Sequence, residues 1–163
     1  MNILKIYEYA LQREYAGRDF FREHAGRFSH AAVTGAFEKL ANEEEKHIKF
    51  IQALIEQWNE EKSAVAQGLV LEREGFFSER ATSELLDQTI IESMVPDLSV
   101  LRMAYLIERD FAEFYETAAG WIKDEEAKRS LLMLARWERQ HEALFKEMHD
   151  RAFKEYAGMP WGG

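Results

Sequence analysis

Two stretches decide the fold: Leu40-Ala41-Asn42-Glu43-Glu44-Glu45-Lys46-His47 and Leu134-Ala135-Arg136-Trp137-Glu138-Arg139-Gln140-His141. They stand 94 residues apart and share Leu-Ala, then Glu, then His at the same offsets. In each, Glu and His are three residues apart, so on a helix both side chains leave from one face. That face is otherwise apolar. Val33, Phe37, Leu40, Ile51, Leu54 and Trp58 surround the first pair, and Ala127, Leu131, Leu134, Phe145, Met148 and Ala152 the second. The 3-4 spacing predicts two long helices, each burying one stripe with a Glu-His pair at its centre.

The same shift of 94 residues aligns Ala10 with Ala104, Glu14 with Glu108, Phe20 with Phe114, Phe21 with Tyr115 and Ala25-Gly26 with Ala119-Gly120. Surface positions do not match: Glu8 falls on Arg102, Glu38 on Leu132 and Glu43 on Trp137. The retained Glu and His positions are therefore a selected subset. Helices are expected at 2–26, 30–60, 97–122 and 125–156, with Ser29, Asp97 and Asp124 as candidate N-caps. Residues 61–96 hold no sustained period beyond a short helix near 83–93, and such a length between two hairpins reads as a crossover. The expectation is all-α: a four-helix bundle of two hairpin repeats, 2–60 and 97–156, with a long crossover between helices 2 and 3. It forms a single domain over 1–156, followed by a tail at 157–163.

Composition agrees. Of the 163 residues 30 are acidic and 21 basic, giving a net charge of -9. Glu outnumbers Asp 24 to 6, as long exposed helices favour. The absence of Cys excludes disulfides, a thiol nucleophile, zinc-thiolate sites and iron–sulfur centres. An acidic balance argues against nucleic-acid binding. No apolar run approaches the roughly 20 residues of a membrane span. Met1 to Glu8 has no basic stretch leading into an apolar one, so a cytoplasmic location is expected.

In the first helix Glu14 interrupts an apolar stripe through Tyr7, Ala10, Phe21 and Phe28; in the third, Glu108 interrupts Leu101, Tyr105, Phe111, Tyr115 and Ile122. Antiparallel helices bring to one level residues equidistant from their turn. Glu14 and the Glu44/His47 pair are centred near residue 30, and Glu108 and the Glu138/His141 pair near residue 124. All six should share one layer, about 20 Å from the turns at ~1.5 Å rise per residue. Four ionised carboxylates in an apolar interior would cost several kcal/mol each unless compensated. No Lys or Arg occupies the six positions. Two divalent cations would balance the charge, and carboxylates with one imidazole per ion suit Fe, Mn or Zn better than Ca or Mg.

Glu14, Glu44-x-x-His47, Glu108 and Glu138-x-x-His141, in that order, resemble the ligand set of the ferritin-like superfamily, and within it the rubrerythrin-type di-iron proteins. The resemblance covers nearly the whole chain as architecture. It implies a cofactor of two iron ions, with Mn or Zn possible in the isolated protein. By the same resemblance Glu14 and Glu108 would each chelate one metal, Glu44 and Glu138 would bridge, and His47 and His141 would each complete one shell. The implied chemistry is oxidation of two ferrous ions by O2 or H2O2, as a ferroxidase or peroxidase-like oxidoreductase in oxidative stress. Iron storage or sensing, and hydroxylation of an organic substrate, are the alternatives. The sequence departs from the rubrerythrin pattern at Phe111, where those proteins carry a further Glu one turn after the third-helix ligand. It also has none of the Cys of a rubredoxin domain, so electrons would come from a separate rubredoxin-type donor. Relatives commonly pair, so a homodimer is expected, with Phe76-Phe77 and the four tryptophans as candidate packing residues.

Tyr115, two turns beyond Glu108, is a candidate catalytic residue that could hydrogen-bond a ligand carboxylate or relay an electron; a packed tyrosine is the plain alternative. Gly17, one turn after Glu14, either leaves room for a small oxidant or packs helices closely. His24 is too far from Glu14 to ligate, and His30 and His149 are expected at the surface. Glu43 and Glu45 point away from the seam, toward solvent or along a cation entry path.

Overall fold

A computed structural model describes residues 2–28, 31–61 and 96–159. Four helices account for nearly all of these: α1 (Ile3–Ala25), α2 (Ala31–Glu61), α3 (Pro96–Trp121) and α4 (Glu125–Ala157). No strand occurs among the described residues. The expected short helix at 83–93, Phe76-Phe77, Ser29, His30 and Trp161 lie outside them.

The helix ends follow local chemistry. Asn2 caps α1, its side-chain oxygen accepting from the Leu4 N–H at 3.0 Å. Asp124 caps α4, accepting from Glu126 at 3.1 Å and Ala127 at 2.9 Å. Glu125 and Glu126 follow in its first turn, where the helix dipole favours negative charge. At α3 the expectation of an Asp97 cap is corrected. Pro96 is already helical, which suits a residue with no N–H to leave unsatisfied, and Asp97 falls inside the first turn.

α1 packs chiefly on α2 and α3 on α4, and the two pairs meet along α1–α3 and α2–α4. Tyr9 touches Phe114 while Gly17 faces Phe111, so α1 and α3 run antiparallel. Phe37 touches Phe145 and Phe50 touches Trp137, so α2 and α4 do too. Consequently α2 and α3 run the same way, the geometry a bundle with one crossover needs; residues 62–95, where that crossover is expected, lie outside the described residues.

Phe20, Phe21, Phe37 and Phe145 form one aromatic layer of the core. Phe21 stacks on Phe145 at 5.6 Å between ring centroids, and both meet Phe37 near edge-on. Each such buried ring contributes roughly 1.5–3 kcal/mol. His149 is not at the surface but buried, edge-on to Tyr105 at 5.7 Å. It lies four residues after the buried Phe145, so the helical period carries it inward.

Candidate metal centre

The apolar seam breaks at one layer, where the structure brings together all six predicted residues from four helices. Glu14 comes from α1, Glu44 and His47 from α2, Glu108 from α3, and Glu138 and His141 from α4. The four glutamates have no exposed surface at all. His47 Nδ1 lies 3.3 Å from Glu14, 3.3 Å from Glu44 and 3.0 Å from Glu138. His141 Nδ1 lies 3.2 Å from Glu138, 3.4 Å from Glu108 and 3.8 Å from Glu44. The rings stack at 5.5 Å between centroids. Two four-residue groups result, Glu14/Glu44/His47/Glu138 and Glu44/Glu108/Glu138/His141, each with donor atoms within 4.8 Å of one another. Glu44 and Glu138 belong to both.

Burial raises Glu44 and Glu108 well above the ordinary carboxylate range, and the neighbouring carboxylates, Glu138 first, add to it. Burial would raise Glu138 as well, but the facing His47 and the hydrogen bond with His141 outweigh it and hold Glu138 low. Burial disfavours a charged His47, yet the facing Glu138 charge and the carboxylates of Glu14 and Glu44 close by raise it.

Both oxygens of Glu44, both of Glu108 and Oε1 of Glu138 are buried without a hydrogen-bond partner among the described residues. Buried carboxylate oxygens left this way are costly. Their convergence with two imidazole nitrogens fits two divalent ions, each offered three carboxylates and one imidazole, a donor set that suits Fe, Mn or Zn.

Around the layer, Tyr115 Oη donates a hydrogen bond to Glu14 Oε1. Burial, then the Glu14 charge, raises the phenol well above its usual range, so it stays protonated. Three features were not apparent in the sequence. Trp137 lies flat over His47, 5.0 Å between centroids and 9° between planes. The Phe111 ring fills the hollow above Gly17, where an added Cβ would meet ring carbons at 3.0 and 3.4 Å and the Glu44 carboxyl carbon at 3.9 Å. The Arg13 guanidinium covers the Phe111 ring at 4.7 Å. The repeat carried a signal for two of these: Gly17 falls on Phe111, and Glu43 on Trp137.

Other candidates lie elsewhere. His24 hydrogen-bonds the Phe20 carbonyl at 2.9 Å. Glu45 pairs with Arg18 at 3.2 Å and Arg22 at 3.3 Å, and Glu43 with Lys46 at 2.8 Å. Trp58 packs on the core and Trp121 is exposed. No described helix is long and apolar enough to cross a membrane.

No curated protein matches the chain. A solved structure titled "Hypothetical Protein Pfu-1136390-001 From Pyrococcus furiosus" is similar in fold, with 21% identity and a TM-score of 0.67 over 92% of this chain and 89% of that one. The profile of the rubrerythrin family matches residues 5–149, a span that contains all six clustered residues. With four helices around a buried Glu/His layer, the chain belongs to the rubrerythrin family, di-iron proteins of the ferritin-like superfamily.

Proposed function

We propose that the protein holds two iron ions in this layer and reacts with O2 or H2O2, as a ferroxidase or peroxidase-like oxidoreductase. The observation behind this is the set of buried carboxylate oxygens without partners, converging with two imidazoles at the meeting point of all four helices. Glu14 and His47 would hold one ion, Glu108 and His141 the other, and Glu44 and Glu138 both. Bound as ferrous ions, the pair would supply two electrons to the oxidant.

The chain's own residues set the conditions. Tyr115 keeps its proton and orients Glu14 through that hydrogen bond. Trp137 shields the outer face of His47 from water. Phe111 occupies the space beside Glu44 with carbon, so no fifth carboxylate competes there. No Cys is present to relay electrons, so a separate carrier would reduce the site between turnovers.

The test is anaerobic loading of the metal-free chain with Fe2+, metal counting, and then exposure to O2 or to H2O2. Two ions per chain are expected, with loss of at least one in Glu44→Ala and in Glu138→Ala while circular dichroism still shows helix. Binding near zero, or binding that neither substitution changes, would overturn the proposal. Faster oxidation by H2O2 than by O2 would select the peroxidase form, and rapid oxidation by O2 the ferroxidase form.

A further inference from the structure

The two halves of the metal layer are repeats, so they should be equivalent, yet the groups around them are not. Tyr115 donates to Glu14 on one side. The repeat-related group on the other side is Phe21, which has no hydroxyl, and both oxygens of Glu108 lack a hydrogen-bond partner among the described residues. Trp137 covers His47 face to face. Its repeat counterpart is Glu43, a partly exposed carboxylate paired with Lys46 at 2.8 Å, so no ring covers His141 from that position. The two imidazoles differ accordingly: 4% of the His47 side chain is exposed, against 15% for His141. Each asymmetry closes the Glu14/His47 half and opens the Glu108/His141 half.

We propose that the two metal positions are unequal by construction: the Glu14/His47 position is the tight, slowly exchanging one, and the Glu108/His141 position is the weaker one that exchanges metal with solvent more readily. Tyr115 and Trp137 act as positioning residues for the first. A carboxylate already held by a hydrogen bond, and an imidazole already fixed under an indole, lose less freedom when a metal binds. A partly exposed imidazole beside an unbraced carboxylate releases its ion more readily. This rests on the di-metal reading above and adds to it an order of filling.

The test is a titration of the intact chain with Co2+ under argon, following the visible cobalt bands and the heat of binding, then release to a chelator in a stopped-flow mixer. The wild type should bind two ions in resolved steps, and release them in a fast and a slow phase. His141→Ala should remove the weaker step and the fast phase, and His47→Ala the stronger step and the slow phase. Tyr115→Phe, which keeps the packed ring, should weaken the stronger step about 10–100-fold, the usual cost of losing a partner that orients a ligand, and leave the weaker one in place. Trp137→Phe should speed the slow phase. Two indistinguishable steps, or a Tyr115→Phe variant that weakens both equally, would overturn this inequality while leaving the metal centre intact. Absence of cobalt binding would overturn both.

Discussion

At the scale of single residues, the layer of six is built against the stability of the metal-free chain. Glu44 is the extreme case: it has no exposed surface, neither oxygen finds a hydrogen-bond donor among the described residues, and Glu138 and Glu14 crowd it. A carboxylate in that position costs free energy that a neutral amide of the same shape does not. Glu44→Gln should therefore raise the thermal midpoint of the metal-free protein and reduce or abolish the further rise when metal is added. Paired melting curves with and without Co2+ would check this; a lower midpoint for the metal-free variant would count against it. Functional sites commonly oppose stability in this way. Tyr115 shows the converse economy. Its ring packs like the Phe21 ring of the other repeat, and the single added oxygen reaches Glu14.

At the scale of helices, the repeat is most informative where it is broken in pairs. Arg22 and Glu45 join α1 to α2 at 3.3 Å, while their counterparts Glu116 and Arg139 join α3 to α4 at 2.8 Å with the charges exchanged. Attraction survives because both partners differ together. Gly17 and Phe111 occupy counterpart positions too, and here they touch each other across the α1–α3 seam, the large ring filling the space above the small residue. Gly17→Ala should gain up to about 1 kcal/mol of helix propensity, yet the new methyl presses on a ring already covered by Arg13. The expected outcome is net destabilisation by about 1 kcal/mol in urea unfolding, and a change to stabilisation when Gly17→Ala is combined with Phe111→Leu. Additive effects would show that the ring does not limit the approach of α1 to α3. These contacts also mark what the sequence could express. Glu-x-x-His at the centre of an apolar stripe, repeated after 94 residues, placed six side chains on inward faces because one helical period determines them. Trp137 over His47 depends on how α2 and α4 are rotated and offset against each other, which no spacing within one helix encodes. His149 is inward beside the stripe residue Met148, because a stripe more than 100° wide admits adjacent positions.

For the molecule as a whole, the metal layer lies where the structure is least self-sufficient. Each hairpin is joined along its length, whereas the two hairpins meet less extensively along α1–α3 and α2–α4. The first hairpin brings Glu14 and Glu44 to that meeting, the second Glu108 and Glu138, so without metal the seam sets carboxylates against carboxylates. Of the formal net charge of -9 four units belong to these glutamates, and two divalent ions would neutralise them. Donors from all four helices would make a bound metal a cross-link between hairpins rather than a brace within one. Binding to the folded state alone stabilises it by about 2.7 kcal/mol at a free metal concentration 100 times Kd. The thermal midpoint should therefore climb with Co2+ concentration. Amide hydrogen exchange should slow in the middle of all four helices, around Glu14, Glu44, Glu108 and Glu138, more than at their ends. Slowing confined to α1 and α2, or to α3 and α4, would mean that the ions are held within a hairpin and that the seam is closed by apolar packing alone.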